Sequence, residues 1–465
     1  VIHRLLGLVL VALVPLVLLR DAAGSAVAGS LAAGTVLLFI ALATPKAQRG
    51  RQAFVAVGTL LFLACVATRD DWPALGLRAL SQGAFIGAFF VALASLRSPA
   101  STSPAIARCG RYLATQPPGR RYLALTGGGH LFALVLSYGA ITLLGGLTES
   151  VTRQETDPEI RTVRNRRMLL AIQRGFVASL AWSPLAFAMA VTTSLVPHSS
   201  WSGAAPFALV NAALLTLVGW RLDSRYKPKV PRAVPLAVNT LGTIRDAAPL
   251  FVLLLVLFAG VGVVELLTGL KFITVVMALV PVVALGWIAL QARGETAPQS
   301  RFTGRLQRLA LVDVPSYAPE ILLLAMAGII GTLGAALIEP WLAGSGARLD
   351  LAALPTPAIL AGLVLLVPLL GQLGMNPILS VSLFAPLLPS AQAMGVSPNA
   401  VVVAITAGWA LAGASSPFTA TTLLVGRLGE VSALHVGIVW NRSFMAVATL
   451  VLLASVLVAA HLMRV

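Results

Sequence analysis

Long apolar stretches separated by short basic loops set the rhythm of this chain. Runs of about 20 apolar residues recur from end to end, and as helices each is long enough to cross a hydrocarbon core of about 30 Å. In order they predict spans at 4–20, 26–44, 53–68, 79–96, 168–197, 206–222, 250–268, 270–292, 321–343, 399–426 and 433–462. Short segments of strict apolar and polar alternation would mark a transmembrane barrel instead. The pattern predicts an all-α polytopic membrane protein with about 11 transmembrane helices. The first run, VIHRLLGLVLVALVPLVLLR, shows no small-residue cleavage site and is followed at once by a second span, so it reads as a retained helix.

Two apolar segments, 122–148 and 357–392, do not fit as simple spans, and the charges decide how they run. Basic residues are retained on the cytoplasmic side. Lys46, Arg49 and Arg51 follow the second span, and Arg97, Arg108, Arg111, Arg120 and Arg121 follow the fourth. Both loops are cytoplasmic if the N-terminus is. Segment 122–148 is flanked on its far side by Arg153, Arg161, Arg164, Arg166 and Arg167, so it enters and leaves on one side. With 27 residues it is too short for two crossings, and a re-entrant hairpin with Ser137, Tyr138 and Gly139 at its tip satisfies both constraints. Cytoplasmic loops follow at Arg221, Arg225, Lys227, Lys229 and Arg232, and at Arg293, Arg301, Arg305 and Arg308. Segment 357–392 has only Arg348 in its flanks and turns on the outside around Gly374, Asn376 and Pro377. A second hairpin and two short crossings fit it equally well in length.

Each of these segments is followed by a related helix. AIQRGFVASLAWSP at 171–184 aligns without a gap on AITAGWALAGASSP at 404–417, an offset of 404 − 171 = 233. Ala171, Ile172, Gly175, Ala181, Ser183 and Pro184 meet Ala404, Ile405, Gly408, Ala414, Ser416 and Pro417, and Phe176 meets Trp409. By the charge pattern the two helices run in opposite directions. The order span, span, hairpin, broken helix, span then occurs twice with opposite orientation, an inverted repeat of the kind that builds transporters. It predicts two oppositely oriented re-entrant hairpins. The expected divisions are N-terminal helices at 1–52, a first repeat at 53–222, a linker and connecting helix at 223–269, and a second repeat at 270–465. Hairpin 122–148 and broken helix 168–197 belong to the first repeat, hairpin 357–392 and broken helix 399–426 to the second.

A proline inside a helix removes a donor and frees carbonyls that lipid cannot satisfy. One such site is an ordinary kink. Two at matching places in inverted halves point to a binding site near the midplane, where half-helix N-termini attract anions and unwound carbonyls coordinate cations. Ser183, Pro184, Ser415, Ser416, Pro417, Thr419 and Thr421 surround the breaks, and Ser137, Gly139, Asn376 and Pro377 sit at the hairpin tips. These are the candidate substrate-binding residues. Thr192, Thr193 and Ser194 read as packing residues near a helix end, Asn211 as an interhelical bond, and His130 and His435 as packed or interfacial. Arg174 reads as snorkelling from its helix, with a substrate-facing role as the alternative. Arg442 is near mid-membrane if 433–462 is one helix and interfacial if 433–441 lies along the surface. GGG at 127–129 follows no strand and marks close packing or a bend.

Composition narrows the chemistry. The chain is 58% hydrophobic and 11% charged, with 33 Lys+Arg against 16 Asp+Glu over 465 residues. That basic excess sits in loops and serves orientation; no soluble basic domain exists to bind nucleic acid. Carboxylates are scarce inside the spans, which favours coupling through neutral oxygen ligands, or no ion coupling, over a carboxylate proton relay. Cys65 and Cys109 form no disulfide or metal framework. No catalytic constellation, cofactor motif or metal cluster is evident, so an enzyme is not expected.

This layout resembles the ion transporter superfamily, and in architecture its divalent anion/sodium symporter family. The family carries Ser-Asn-Thr at its hairpin tips; LSYG and GMNP stand here, with Ser137 and Asn376 as the matches. SSPFTATT after the second break is similar in kind to the family's substrate and cation loop. The resemblance implies a homodimer in which a transport domain of hairpins and broken helices slides against a scaffold of 53–96, 206–222, 270–343 and 433–462. The expected function is a secondary active transporter for a small anion, an organic carboxylate or inorganic oxyanion, working by an elevator-type motion. The coupling ion would be a sodium near Ser137, Ser183, Asn376 and Ser416, or a proton. A membrane-embedded enzyme for lipid-linked substrates and a passive anion channel are the rival classes. The expected location is the cell inner membrane, multi-pass, N-terminus cytoplasmic.

Overall fold

The computed structural model describes residues 2–117, 119–153, 155–225, 244–293, 298–344 and 354–464. Lys227, Lys229, Arg232 and Arg348 lie outside the described residues. Among the described residues, eleven helices are long and apolar enough to cross a membrane, and they follow the predicted spans one for one. The described helices form two compact units, one of Val1–Pro99, Leu257–Leu351 and Ile378–Leu388, the other of Ala100–Val256, Ala352–Pro377 and Pro389–Val465. These units cut across the two sequence repeats, because a repeat is a stretch of chain and a compact unit is a set of packed faces.

In the first unit, α1 (Ile2–Ala23) packs on α2 (Ala26–Ala43), and α3 (Arg49–Thr68) packs on a later helix, Ala318–Gly344. Trp72–Ser101, α4, meets that later helix through small residues: Gly83 lies against Ile329, and Gly328 against Ile86. Phe39, Phe89, Phe90, Leu10, Leu13 and Ile86 are among the fully buried side chains of its core.

The second unit holds both broken helices. Helices α5 (Pro104–Ala114), α6 (Arg121–Leu136) and α7 (Gly139–Thr152) precede α8 (Pro158–Trp182), which stops before a short α9 (Phe187–Leu195). Helices α6 and α7 are the first hairpin. At 14 residues, α7 is about 21 Å long and cannot cross the core. Ser137 makes the tip with a positive φ of 50°, an uncommon geometry outside glycine. Helix α10 (Trp201–Arg225) follows. The chain continues through α11 (Ala248–Thr268), α12 (Phe272–Arg293), α13 (Pro298–Arg308), a π-helical stretch Leu309–Asp313, the single turn α14 (Val314–Ser316) and α15 (Ala318–Gly344).

The second hairpin has α16 (Thr356–Gln372) and α17 (Pro377–Phe384) as its arms. With 8 residues α17 spans about 12 Å, which rules out two full crossings. Its residues from Ile378 onward belong to the first unit, whereas α16 belongs to the second. The second broken helix is α18 (Pro398–Ser415) and α19 (Ala420–Leu428). A π-helical segment His435–Trp440 precedes α20 (Arg442–Leu462), so 433–462 is not one helix; Arg442 opens α20 and is exposed. The resemblance grouped 206–222 and 433–462 with a scaffold. In the structure α10 and α20 pack on each other and on the broken helices of the second unit.

The repeat has a physical basis in packing. Arm α6 runs along α8, and arm α16 along α18. The matched glycines make both approaches. A methyl on Gly175 would collide with the Thr126 carbonyl oxygen, and one on Gly408 would fall 2.8 Å and 2.9 Å from the carbonyl oxygens of Leu363 and Val364. Within the GGG stretch, which lies inside the continuous helix α6, Gly129 acts in the same way and lies against the backbone of Ile172. Helices α8 and α18 meet where Gly413 packs on Leu180, and 413 − 180 = 233, the offset of the sequence match.

Candidate functional site

Three residues beyond that crossing, each helix breaks. The two breaks have the same backbone: Ser183 has φ −69° and ψ 129°, Ser416 has φ −69° and ψ 126°. Each serine N–H still donates to the carbonyl four residues back, Ser179 O and Ala412 O, both at 2.9 Å. Each hydroxyl oxygen then accepts from the N–H two residues on, Leu185 at 3.1 Å and Phe418 at 3.3 Å. The serine before each proline therefore replaces part of the hydrogen bonding that the proline removes.

At the second break the freed carbonyls can be followed one by one. Pro417 has no N–H, so Gly413 O loses its helical donor; the Thr421 hydroxyl donates to it instead. Phe418 N–H has turned to Ser416, so Ala414 O is free of its own; Asn441 Nδ2 at 3.1 Å and Gln173 Nε2 at 3.5 Å donate to it. Ser416 O accepts from Thr419 N–H at 3.3 Å and from the Thr419 and Thr422 hydroxyls. The hairpin tip is tied to the same place. Ser416 Oγ donates to Gly371 O at 2.6 Å, and Gln372 Nε2 donates to Ser415 Oγ at 3.2 Å. Gly374, at φ +89°, turns the tip where Phe418 lies over it, a backbone that a side chain would strain. Asn376 and Pro377 follow directly.

The first break is held by aromatic groups. Trp201 Nε1 donates to Trp182 O at 2.9 Å, and Trp182 Nε1 donates to His130 Nε2 at 2.9 Å with the two rings stacked. Tyr138, between the tip residues Ser137 and Gly139, stacks on Phe176 of α8 with ring centroids 5.2 Å apart. The structure thus gathers Ser415, Ser416, Thr419 and Thr421 with the second tip. Ser137 and Gly139 belong to the first tip, and Ser183 and Pro184 to the first break.

Arg174 does not snorkel. It is buried at 6% exposure, with Nε donating to Asn441 Oδ1 at 3.3 Å, Nη1 donating to Tyr122 Oη at 3.4 Å, and its guanidinium 4.6 Å from the Phe444 ring centre. These partners are all neutral. Asn441 Nδ2 in turn donates to Gln173 Oε1 at 2.9 Å. Gln173, Tyr122, Gln372 and Asn441 are site residues that sequence reasoning missed. The only signal was their polarity inside apolar runs. Asn211 accepts from Ser455 Oγ at 2.7 Å, the interhelical bond expected of it, and the Thr192 hydroxyl donates to Ala188 O in its own helix.

The arrangement has a definite chemistry. Ser415, Ser416, Thr421 and Thr422 each donate to a backbone carbonyl, of Leu411, Gly371, Gly413 and Ser416. A hydroxyl has one proton, so what these groups still offer is oxygen lone pairs, which suit a small hard cation. Positive character comes from the start of α19, whose N-cap Thr419 makes no side-chain cap bond. First-turn N–H groups there favour an anion. Among the described residues no group of three or more His, Cys, Asp and Glu could hold a metal. Cys109 is buried and its thiol is pushed up to about 11 by that burial, so it is not a poised nucleophile.

Fold and breaks together define a class: a polytopic helical protein built like known membrane transporters. No family model matches the chain, and no curated protein matches it in sequence. Solved structures do match. The YdaH transporter of Alcanivorax borkumensis superposes with a TM-score of 0.51 at 17% identity, over 88% of this chain and 98% of that one. MtrF of Neisseria gonorrhoeae, described among antimetabolite efflux pumps, gives 0.53 at 14% identity, over 90% of this chain and 96% of that one. At these identities the likeness is one of fold. It supports the coarser part of the expected resemblance, a transporter fold, and does not extend to the divalent anion/sodium symporter family.

Proposed function

We propose that this chain is a secondary active transporter that moves a small anion, an organic carboxylate or inorganic oxyanion, across the cell inner membrane. The second break carries the reading. It places hydroxyl oxygens with spare lone pairs beside an uncapped helix start, at the tip of a hairpin. The fold likeness to transporters supports it. In this reading the first turn of α19 and the amides of Gln372 and Asn376 receive the anion. The oxygens of Ser416, Thr419 and Thr421 receive a coupling sodium. Buried Arg174 offsets negative charge through the membrane without a carboxylate partner. The chain works as a homodimer, N-terminus cytoplasmic, with an elevator-type motion of the broken-helix unit. The divalent anion/sodium symporter resemblance is the finer form of this proposal, with Ser137 and Asn376 as its tip residues.

The test is uptake of labelled anions by proteoliposomes under a sodium or proton gradient. Asn376→Ala and Ser416→Ala should abolish uptake while the protein stays folded and monodisperse. Normal uptake by both variants would remove the site assignment. Flux that neither saturates nor follows a gradient would turn the reading into a channel.

A further inference from the structure

A groove of about 430 Å³ lies on the second unit, away from both hairpin tips. Leu123, His130, Trp182, Leu209, Thr216 and Trp220 are among its lining residues. Three of its polar side chains are already engaged. Trp182 Nε1 donates to His130 Nε2, and the Thr216 hydroxyl donates to Ala212 O at 3.0 Å. The groove therefore offers a solute almost nothing but apolar surface, and leaving such surface in contact with polar solvent is costly. Leu123, Leu209 and Leu217 along it are 44%, 44% and 46% exposed, so it opens outward rather than into the core.

Its length and its end are both informative. From Leu209 to Trp220 along α10 is about 16 Å at 1.5 Å per residue, close to half of a hydrocarbon core of about 30 Å. At the Trp220 end two arginines stand on the groove's own faces. Arg221 is one turn beyond Leu217 on α10 and lies 5.3 Å from the Trp220 ring centre; Arg120 is the N-cap of α6, three residues before Leu123. Both are exposed. The nearby described ion pairs, Arg167 with Asp223 and Arg164 with Glu155, leave these two guanidinium groups outside them. Among the described residues that line the groove, none at its other end, at Leu209 and Trp182, is charged.

We propose that this groove is a specific site for one anionic phospholipid, with an acyl chain along the α6–α10 wall and the phosphate held between Arg120 and Arg221. One apolar channel as deep as a leaflet, with cationic groups at one end only, matches an amphipathic anion and not a free ion or a neutral solute. Basic residues beside interhelical grooves are the usual means of selecting anionic headgroups. The proposal concerns the lipid and stands whether or not the transport reading does.

The experiment uses the purified full chain, delipidated in neutral detergent and titrated with phosphatidylglycerol, phosphatidylcholine or inorganic phosphate. Thermal midpoint and native mass spectrometry are the readouts. Phosphatidylglycerol should raise the midpoint and remain as one retained lipid per chain, and the other two should not. The double variant Arg120→Gln, Arg221→Gln should weaken that binding at least tenfold. Ala213→Phe, placed at an exposed lining position, should abolish retention without lowering the lipid-free midpoint. Equal stabilisation by phosphatidylcholine, stabilisation by inorganic phosphate alone, or wild-type lipid retention by both variants would overturn the assignment. So would Ala213→Phe altering self-association while lipid retention stays normal.

Discussion

The two breaks share a backbone and differ in almost every side chain around it. Ser183 and Ser416 have nearly the same φ and ψ, the same backward hydrogen bond and the same forward acceptance. Beyond the proline they part. Subtracting 233 from Thr419, Thr421 and Thr422 gives Ala186, Ala188 and Met189, and from Asn441 gives Ala208. The second break is lined by hydroxyls and a carboxamide that claim its freed carbonyls. The first is packed with methyls and braced by Trp182, Trp201 and His130. One geometry, then, carries two different surroundings. Proline and glycine set the shape in both halves. The polar shell makes the second half a candidate ion and substrate centre, while the first is braced by aromatic side chains.

That contrast can be broken in several ways, the largest effect first. Asn441→Leu removes the donor to Ala414 O and Gln173 Oε1 and strips Arg174 of its closest acceptor. Arg174 keeps Tyr122 and Phe444, but each buried polar group left short of a partner costs about 1–3 kcal/mol, and more for a charged one, so a large drop in thermal midpoint should follow. A drop no larger than that of an exposed-face substitution would show that the shell is dispensable. Next come Gly175→Val and Gly408→Val, each forcing a side chain against a backbone carbonyl. Overpacking costs about 1–3 kcal/mol, and the two should be alike because the shape is common to both halves. Markedly unequal losses would argue against the packing repeat.

Smaller effects sharpen the difference between the halves. Thr421→Val leaves Gly413 O without its replacement donor, a loss of about 1–3 kcal/mol for an unsatisfied buried group. Ala186→Thr puts a hydroxyl at the first-half counterpart of Thr419, on a half-buried position. It should change stability by no more than about 0.5 kcal/mol and leave transport untouched. An effect on transport from Ala186→Thr would make the first break part of the site and not only its brace.

Much of this arrangement was legible in the chain, for identifiable reasons. Hydrophobic length fixes where helices can cross, and proline fixes where α8 and α18 must stop, so the eleven spans and both breaks could be placed from residues alone. Gly175 and Gly408 were visible as a match, and the structure supplies their reason, a backbone approach that tolerates no side chain. The polar shell was not legible. Asn441 and Gln173 are 268 positions apart, and no spacing rule links them. Arg174 was read as snorkelling because its depth along α8 allowed that; its neutral partners come from α6 and the segment before α20, which only the fold brings together. A separate segment at 433–441 was one of two readings open in the sequence, but its π-helical form was not legible, since its apolar pattern continues smoothly into α20. The assignment of α16 and the bulk of α17 to different units left no mark in the sequence either.

The central claim is that the hydroxyl cluster of the second break binds a cation together with an anion. The most direct measurement is thermal unfolding of the purified protein against a panel of carboxylates and oxyanions, each with sodium or potassium, for the wild type and Thr419→Val. Ligand that binds only the folded state raises the midpoint with the logarithm of its concentration. The account predicts a rise from one anion class that requires sodium and is lost in Thr419→Val. A rise of equal size in potassium and in the variant, or no rise with any anion, would contradict it.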